Sequence, residues 1–228
     1  MHLMLKRLFL LPVLAGTLCT TACTEPPKKA LDLPRLGERD VRPRPDGGPD
    51  DSVAVPVPTF RLTDQAGQPV SNQTLAGHAY VANFFFATCP SICPTMQSEL
   101  LAVYKKYPTD PRVSFLSVTI DPAHDSVAAL RDYAERLGVP NASRWHFARL
   151  PDREQTFVLA RKFLTGVMAD KSAPGGMVHS GVLVLVDDKG YIRGVYDGLN
   201  SAEVTRLQTE LPVLLAEIDA RKKGVAGR

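Results

Sequence analysis

Two cysteines, Cys89 and Cys93, stand four positions apart in the stretch FFFATCPSICPTM, and a proline follows each of them. An apolar run precedes the pair and a helical pattern follows it, which predicts that Cys89 comes at the end of a buried strand and that Cys93 opens a helix. Unpaired amides at a helix start favour a thiolate, and Pro94 suits the first turn, where no amide donor is needed. The position therefore predicts two reactive thiols.

The spacing of the two thiols bears on their chemistry. Residues four apart on a regular helix have Cβ atoms about 5 to 6 Å apart, whereas a disulfide needs about 3.5 to 4.5 Å. A fully helical pair is slightly too open to oxidise, although Cys89 in a preceding loop can swing inward. Two sulfurs at about 2.3 Å from zinc, or at a similar distance from copper, can share one ion. The spacing favours a metal site and leaves a redox site open.

A metal held by two side chains is open to exchange, so a third ligand is expected. The histidines of the folded part are His78, His124, His146 and His179. His179 is the preferred candidate because it follows a Gly-rich loop and directly precedes a core strand, a position that an α/β fold can bring past the cysteine motif. His124 is expected in a turn and His146 in a strand, both without a ligand role.

The donor set indicates which metal it suits. Two thiolates and one imidazole form a soft, three-coordinate set that suits Cu(I), with Cu(II) also accessible. Zinc needs a fourth ligand, and no Glu or second His stands at an obvious ligand spacing. Met96, Met168 and Met177 carry thioether sulfurs, but packing or loop filling is their expected use. The residues favour copper over zinc.

Strand and helix patterns alternate around these residues. Strands are predicted at 80–86, 113–120, 182–186 and 191–196, a hairpin at 60–70, and helices beginning near 95, 126, 152 and 201. Ser126 and Asp152 are expected helix caps, and Pro212 is an expected kink in the last helix. The first two strands are too hydrophobic for a sheet with one solvent face. This order predicts an α/β protein, a thioredoxin-like mixed sheet flanked by helices on both faces, with an N-terminal β-hairpin.

The N-terminus has the pattern of an export signal, with Lys6 and Arg7 before an apolar stretch at 8–18 and small residues up to Cys23. That stretch is shorter than the roughly 20 apolar residues of a membrane-spanning helix. The tetrapeptide TTAC resembles the lipobox of bacterial lipoproteins, which predicts a lipoprotein signal peptide at 1–22 and lipidation at Cys23. Thr20 departs from the usual leucine, so simple secretion and an uncleaved anchor stay open.

Composition divides the rest of the chain. Residues 23–58 are rich in Pro, Gly and charge without apolar periodicity, which predicts a disordered tether. Residues 59–221 have the length of one domain and 222–228 are a tail. The domain holds two cysteines and is large enough to fold without a disulfide framework. A net charge of +3, with no cluster of basic and aromatic residues, makes nucleic acid an unexpected partner.

The sequence resembles the Sco/SenC family, copper-binding assembly factors for cytochrome c oxidase. The resemblance covers most of 59–215 and rests on TCPSICPTM, VTIDPAHDS, LTG and HSGVLVLVDDKGYIRGVYDG. It implies a thioredoxin-like fold, copper ligands Cys89, Cys93 and His179, and a bacterial cell-envelope location, membrane-anchored and facing the periplasm. Many members have an aspartate directly before the histidine, where this chain has Val178, so a group that orients the imidazole is missing or supplied elsewhere.

The family's turn motif supplies two further residues, Asp121 and Asp125, which are expected to form the turn and cap the helix start.

Two functions remain open. The first is a copper metallochaperone for assembly of the binuclear copper centre in the copper-binding subunit of cytochrome c oxidase, which receives the ion from a periplasmic donor. The second is a thiol-disulfide oxidoreductase, with Cys89 as the more exposed nucleophile, Cys93 resolving, and a thioredoxin-like reductase as partner. A thiol peroxidase and a structural disulfide are less favoured.

Overall fold

The structure, a computed structural model, describes residues 32–139 and 141–226. The strands are Arg39–Arg42 (β1), Asp51–Ala54 (β2), Arg61–Asp64 (β3), Pro69–Ser71 (β4), Ala79–Phe85 (β5), Val113–Thr119 (β6), Trp145–Arg149 (β7), Val167–Ala169 (β8), Met177–His179 (β9), Val182–Val186 (β10) and Ile192–Asp197 (β11). The helices are Asn72–Leu75 (α1), Ile92–Lys105 (α2), Val127–Leu137 (α3), Arg153–Lys162 (α4) and Ser201–Ala226 (α5).

Seven strands form the central sheet in the order β11-β10-β5-β6-β7-β3-β4. Strand β6 is parallel to both β5 and β7, while the other neighbours in the sheet pair antiparallel. Every residue of β5 and β6 is buried, which means that both faces of the sheet centre are covered. The predicted mixed, thioredoxin-like sheet is confirmed, with the predicted hairpin β3–β4 at one edge.

The helix ends follow from local sequence. The Ala129 amide donates to Oγ of Ser126 over 3.2 Å at the start of α3, and α3 ends at Gly138 with a φ of 84°. The Gln155 amide donates to Oδ1 of Asp152 over 2.8 Å and begins α4. Both predicted N-caps are therefore present. Helix α5 continues through Pro212.

The predicted element order gives strand β7 no range of its own, although it lies inside the sheet between β6 and β3. Its side chains Trp145 and Phe147 point to the same face and stack with ring centroids 5.2 Å apart. The five-residue run WHFAR carries a histidine and an arginine and lacks the long apolar run of its neighbours, so its periodicity is weak. His146 lies in a strand, as expected.

The structure differs from the predicted tether over its described part, residues 32–58. Strands β1 and β2 pair as a separate two-stranded sheet, and Leu33 and Val57 are buried in the core. The guanidinium of Arg193 donates to the backbone carbonyls of Leu33 and Pro34, which holds this segment against β11. This segment is held by a few isolated apolar residues and by backbone carbonyl groups, and amino-acid composition reveals neither of these.

The described residues begin at Asp32 and end at Ala226. Helix α5 reaches Ala226 and so includes most of the predicted tail, 222–228. The signal-peptide region, 1–22, and the lipidation candidate Cys23 lie outside the described residues. Within the described ranges, no helix combines the length and apolarity that a membrane crossing requires.

Candidate metal centre

The two cysteines lie where β5 gives way to α2. Cys89 sits in the connecting turn, where its amide donates to the Phe86 carbonyl over 3.2 Å. Cys93 is the second residue of α2, and Pro94 follows it in the first turn, as predicted. Cys89 is 9% exposed and Cys93 is 1% exposed. Cys89 is therefore the more accessible thiol.

His179 comes from the other half of the chain, at the end of β9. Strands β8 and β9 form a small antiparallel hairpin separate from the central sheet. The imidazole is buried and meets the Phe86 ring edge to face, with centroids 5.9 Å apart. The hairpin carries His179 to the cysteine turn, so the juxtaposition expected from the sequence is present.

The orientation of the imidazole is set by its own backbone. Nδ1 of His179 lies 3.2 Å from the carbonyl oxygen of Ser180, which directs Nε2 the opposite way, toward the cysteines. Val178, the residue directly before the histidine, is 42% exposed and points away from the cluster. The Ser180 carbonyl supplies the orienting group that the sequence left unassigned.

The three side chains converge to a tight cluster. Sγ of Cys93 and Nε2 of His179 are 3.0 Å apart, and the ligand atoms of Cys89, Cys93 and His179 all lie within 4.8 Å of one another. Both cysteines are free thiols. The described residues add no fourth Asp, Glu, His or Cys to this group.

The environment separates the two thiols electrostatically. A hydrogen bond from the Cys93 thiol lowers the pKa of Cys89 well below its ordinary value, and His179 and the amides of Ser91 and Cys93 add to this against the opposing effect of burial. Cys93 is the donor of this hydrogen bond and must keep its proton to make it, so the bond raises the pKa of Cys93. Burial raises the pKa of Cys93 further. Cys89 is therefore the thiolate of the pair, available as nucleophile or as first ligand.

A buried carboxylate fixes the turn that carries Cys89. Oδ2 of Asp125 accepts a hydrogen bond from the Ala87 amide over 3.0 Å and another from the Thr119 hydroxyl. Burial raises the pKa of Asp125. The sequence predicted a turn and capping role for this residue but missed its bond to Ala87. The available signal was that β5 and β6, being parallel neighbours, end at the same edge of the sheet.

The other candidate ligands have partners elsewhere. Nδ1 of His78 lies 3.0 Å from the Ser114 hydroxyl, that of His124 lies 2.6 Å from Asp121, and that of His146 lies 3.1 Å from Asp64. Among the methionines, Met96 is fully buried and Met168 is exposed. None of these three histidines belongs to the cluster of ligand atoms.

The donor chemistry fits copper. Two sulfurs and one imidazole nitrogen form a soft three-coordinate set, which Cu(I) accepts and which also offers Cu(II) nitrogen and sulfur ligands. A closed zinc site takes four ligands, and the described residues bring only three together. Cys89, Cys93 and His179 are the residues that would hold the ion.

Fold and cluster together define a class: a thioredoxin-like protein with a cysteine, cysteine and histidine cluster at the start of a helix. The SCO1/SenC family model matches residues 50–210. The match spans more than half of the chain, and the protein belongs to the SCO1/SenC family. The resemblance identified from the motifs is confirmed.

Individual relatives agree with this assignment. A protein of Stutzerimonas stutzeri, whose curated name includes the words "copper-binding protein", is 32% identical over 142 residues, which are 60% of this chain and 67% of the relative. Arabidopsis thaliana ScoI, solved with copper bound, has a TM-score of 0.59 at 20% identity and covers 72% of this chain and 99% of its own. BsSco, described with a disulfide switch and as a member of the Sco family of cytochrome c oxidase assembly proteins, has a TM-score of 0.59 at 23% identity over 70% of this chain and 92% of its own.

Proposed function

We propose that the protein is a copper metallochaperone that binds copper through Cys89, Cys93 and His179 and passes it to the copper-binding subunit of cytochrome c oxidase. The observation that carries the proposal is the convergence of three soft ligand atoms within 4.8 Å of one another. Family membership supports the same function, since a relative solved with copper bound and another described as an oxidase assembly protein share the fold.

The cluster has the properties that transfer requires. Cys89 is a thiolate near the surface and can be exchanged for a ligand of the acceptor, while Cys93 and His179 still hold the ion. Replacement of one ligand at a time keeps copper bound throughout, and a three-coordinate site leaves room for the incoming group. The cysteines release their protons as the ion binds.

The location and the remaining partners complete the proposal. The export signal and the TTAC sequence support a membrane-anchored protein of the bacterial cell envelope that faces the periplasm, with Cys23 as the lipidated residue. A periplasmic copper donor would load the site. Lipidation at Cys23 stays a prediction, and mass measurement of the mature N-terminus tests it.

Thiol chemistry at the same site is the second candidate function. Two free thiols of opposite pKa shift favour it, as does the disulfide switch described for BsSco. The Cys89 thiolate would attack a disulfide of the target and form a mixed disulfide. Cys93 would then displace the target thiol, so that two electrons pass to the target and a Cys89–Cys93 disulfide remains. A thioredoxin-like reductase would restore the dithiol.

An anaerobic competition titration tests the metallochaperone. The reduced protein is titrated with Cu(I) against a chromophoric chelator, and wild type is compared with His179→Ala. Loss of the imidazole should weaken Cu(I) binding at least tenfold. His124→Ala is the matched control, because His124 is an exposed histidine outside the cluster, and it should bind like wild type.

Reductase activity, measured with a protein disulfide substrate, separates the two functions. If His179→Ala keeps wild-type copper affinity and wild-type reductase activity, the metallochaperone proposal fails and the reductase gains. If copper affinity falls while reductase activity persists, the site serves both chemistries.

A further inference from the structure

A cavity of about 240 Å³ lies against the two cysteines, between α2 and α3, and opens to solvent. Its wall includes Phe86, Cys89, Cys93, Gln97, Tyr133 and Arg136. His179 is not part of this wall. A group inside the cavity would therefore contact both sulfurs without passing the histidine. Metal binding by the three ligands does not by itself require this second route to the sulfurs.

Gln97, on the cavity wall, has an unusual polar group. Its side chain is fully buried, and neither Nε2 nor Oε1 has a hydrogen-bond partner within the described part of the chain. Buried polar groups in native proteins are normally paired, and an orphaned one destabilises the fold. The other orphaned atoms found there are single guanidinium nitrogens of Arg149 and Arg221, whose side chains pair through other nitrogens. Gln97 is different because its whole amide lacks a partner.

The position of Gln97 connects this amide to the cysteines. Gln97 follows Cys93 by four residues on α2, so the two side chains are neighbours on one face of the helix. Helical side chains lean toward the N-terminus, which brings the amide toward the cysteine turn. An amide offers one acceptor and two donors, the complement of a peptide group, which offers one of each.

Arg136 adds a charge to the cavity wall. The residue is exposed, and it makes no ion pair with any residue between 32 and 226 that the structure describes. Its guanidinium carbon lies 6.0 Å from the centroid of the Tyr133 ring, which also lines the cavity. A carboxylate entering the cavity would find an unpaired cation at this point.

We propose that the cavity binds a short extended segment of the protein that exchanges copper with the site. The Gln97 side chain turns toward the cavity and its amide pairs with a peptide group of that segment. An acidic side chain pairs with Arg136, and a sulfur side chain reaches Cys89 and Cys93. The inference rests on the proposed function and names the chemistry of its partner. The volume of about 240 Å³ suits a few groups of an extended chain.

The approach fits stepwise exchange. Because the cavity wall holds both cysteines and excludes His179, the incoming sulfur would contact the ion while the imidazole still holds it. Pairing of the Gln97 amide would at the same time remove the cost of an orphaned polar group, so that docking the segment and satisfying the amide are one event. Gln97 and Arg136 would then be positioning residues for transfer and not ligands of the metal.

Peptide binding to the reduced, metal-free full chain tests the proposal separately from copper binding. The probe is a fluorescein-labelled peptide, acetyl-Gly-Glu-Met-Gly-amide, followed by fluorescence anisotropy; methionine avoids disulfide exchange with Cys89. Two further peptides carry glutamine for glutamate, or norleucine for methionine. Wild type is compared with Gln97→Met, which keeps the size of the side chain, and with Arg136→Gln on the surface. Gln73→Met, at an exposed glutamine away from the cavity, is the matched control.

Three results are expected. Gln97→Met weakens the peptide at least tenfold while Cu(I) affinity stays within twofold of wild type. Arg136→Gln weakens the glutamate peptide but not its glutamine version. Gln73→Met binds as wild type does. Equal binding by wild type, Gln97→Met and Arg136→Gln, or no saturable binding by wild type, overturns the proposal. The proposed function fails by a different result, unchanged Cu(I) affinity in His179→Ala.

Discussion

Sγ of Cys93 and Nε2 of His179 are 3.0 Å apart although 86 positions separate the two residues. The contact joins the first turn of α2 to the hairpin β8–β9, which stands outside the central sheet. The imidazole ring also meets the Phe86 ring edge to face, and its Nδ1 lies 3.2 Å from the Ser180 carbonyl oxygen. The histidine side of the site therefore depends on how the loop between β8 and β9 packs on Phe86.

We predict that Gly175→Ala weakens copper binding from a position that touches no ligand. Gly175 has a φ of 80°, and an added Cβ would lie 2.7 Å from Cε2 of Phe86. The substitution should cost about 1 to 3 kcal/mol of unfolding free energy for the steric overlap, in addition to the strain of the left-handed backbone. Displaced Phe86 should move the imidazole, so Cu(I) affinity should fall as well. Thermal unfolding and the Cu(I) competition titration measure the two effects.

Gly176→Ala is the control for this prediction. Gly176 is the next residue and has a φ of 74°, but an added Cβ there would meet nothing within 4 Å. It should show the backbone strain alone and retain wild-type copper affinity. Equal losses of affinity in the two variants would mean that the overlap with Phe86 has no part in the effect.

The lowered pKa of Cys89 predicts thiolate reactivity at acidic pH. An ordinary cysteine has a pKa of about 8.5 and loses about tenfold in alkylation rate for each pH unit below it. Cys89 should instead keep its rate with iodoacetamide, within about twofold, between about pH 8 and pH 6, because its folded pKa lies below this window. Cys93 should stay slow, since its pKa is raised. Peptide mapping by mass spectrometry resolves the two sites.

Cys93→Ala provides the internal comparison, because the hydrogen bond from Cys93 is the largest cause of the lowered pKa. Without it the pKa of Cys89 should rise, and alkylation of Cys89 should slow as the pH falls through the new value. A wild-type rate that already falls tenfold per pH unit would be incompatible with a stabilised Cys89 thiolate.

Asp125 should matter through the hydrogen bonds that fix the cysteine turn. Asp125→Ala leaves the buried Thr119 hydroxyl and the Ala87 amide without their acceptor, which should cost about 1 to 3 kcal/mol of unfolding free energy. Asp125→Asn keeps one acceptor oxygen and carries no buried charge, so its loss should be smaller. Chemical denaturation measures both, and an Ala variant no less stable than the Asn variant would show that these bonds are not what holds the turn.

Long apolar strands and cap residues made much of the fold predictable. Ser126, Asp152 and Gly138 mark helix ends by chemistry that acts over three or four residues, and β5 and β6 are buried on both faces. Strand β7 was indicated only by the assignment of His146 to a strand, because its burial depends on Trp145 stacking with Phe147 inside a sheet assembled from distant segments. Short strands with polar residues are assigned by tertiary pairing more than by local pattern.

The site divides in the same way. The spacing of Cys89 and Cys93 predicts them as site residues, and the thioredoxin-like order of elements indicates His179 as the third. Gln97 carries no sequence signal, because a glutamine on an amphipathic helix is ordinarily solvated, and only the structure shows it buried without a partner. The Ser180 carbonyl that orients the imidazole is a backbone group, which no side-chain pattern can reveal.

The last prediction concerns the segment before β1, where composition indicated a tether and the structure has packed residues. Leu33 is 5% exposed, and the buried Arg193, itself paired with Asp187 and Glu217, binds the Leu33 carbonyl. Removing a buried leucine side chain costs about 2 to 5 kcal/mol in protein cores. Leu33→Ala should fall near the lower end, because the segment lies at the periphery and can adjust.

The control for Leu33→Ala is Val41→Ala, at an apolar residue of β1 that is 65% exposed. This change should stay within about 0.5 kcal/mol of wild type, as surface substitutions usually do. Urea denaturation of the two variants decides between an ordered arm and a tether. If both variants leave the free energy of unfolding unchanged, residues 32–34 contribute nothing to the stability of the folded domain. The tether predicted from composition then includes these residues, and the folded domain begins after them. A loss confined to Leu33→Ala places that boundary at or before Leu33, because only a packed side chain can lose burial when it is truncated.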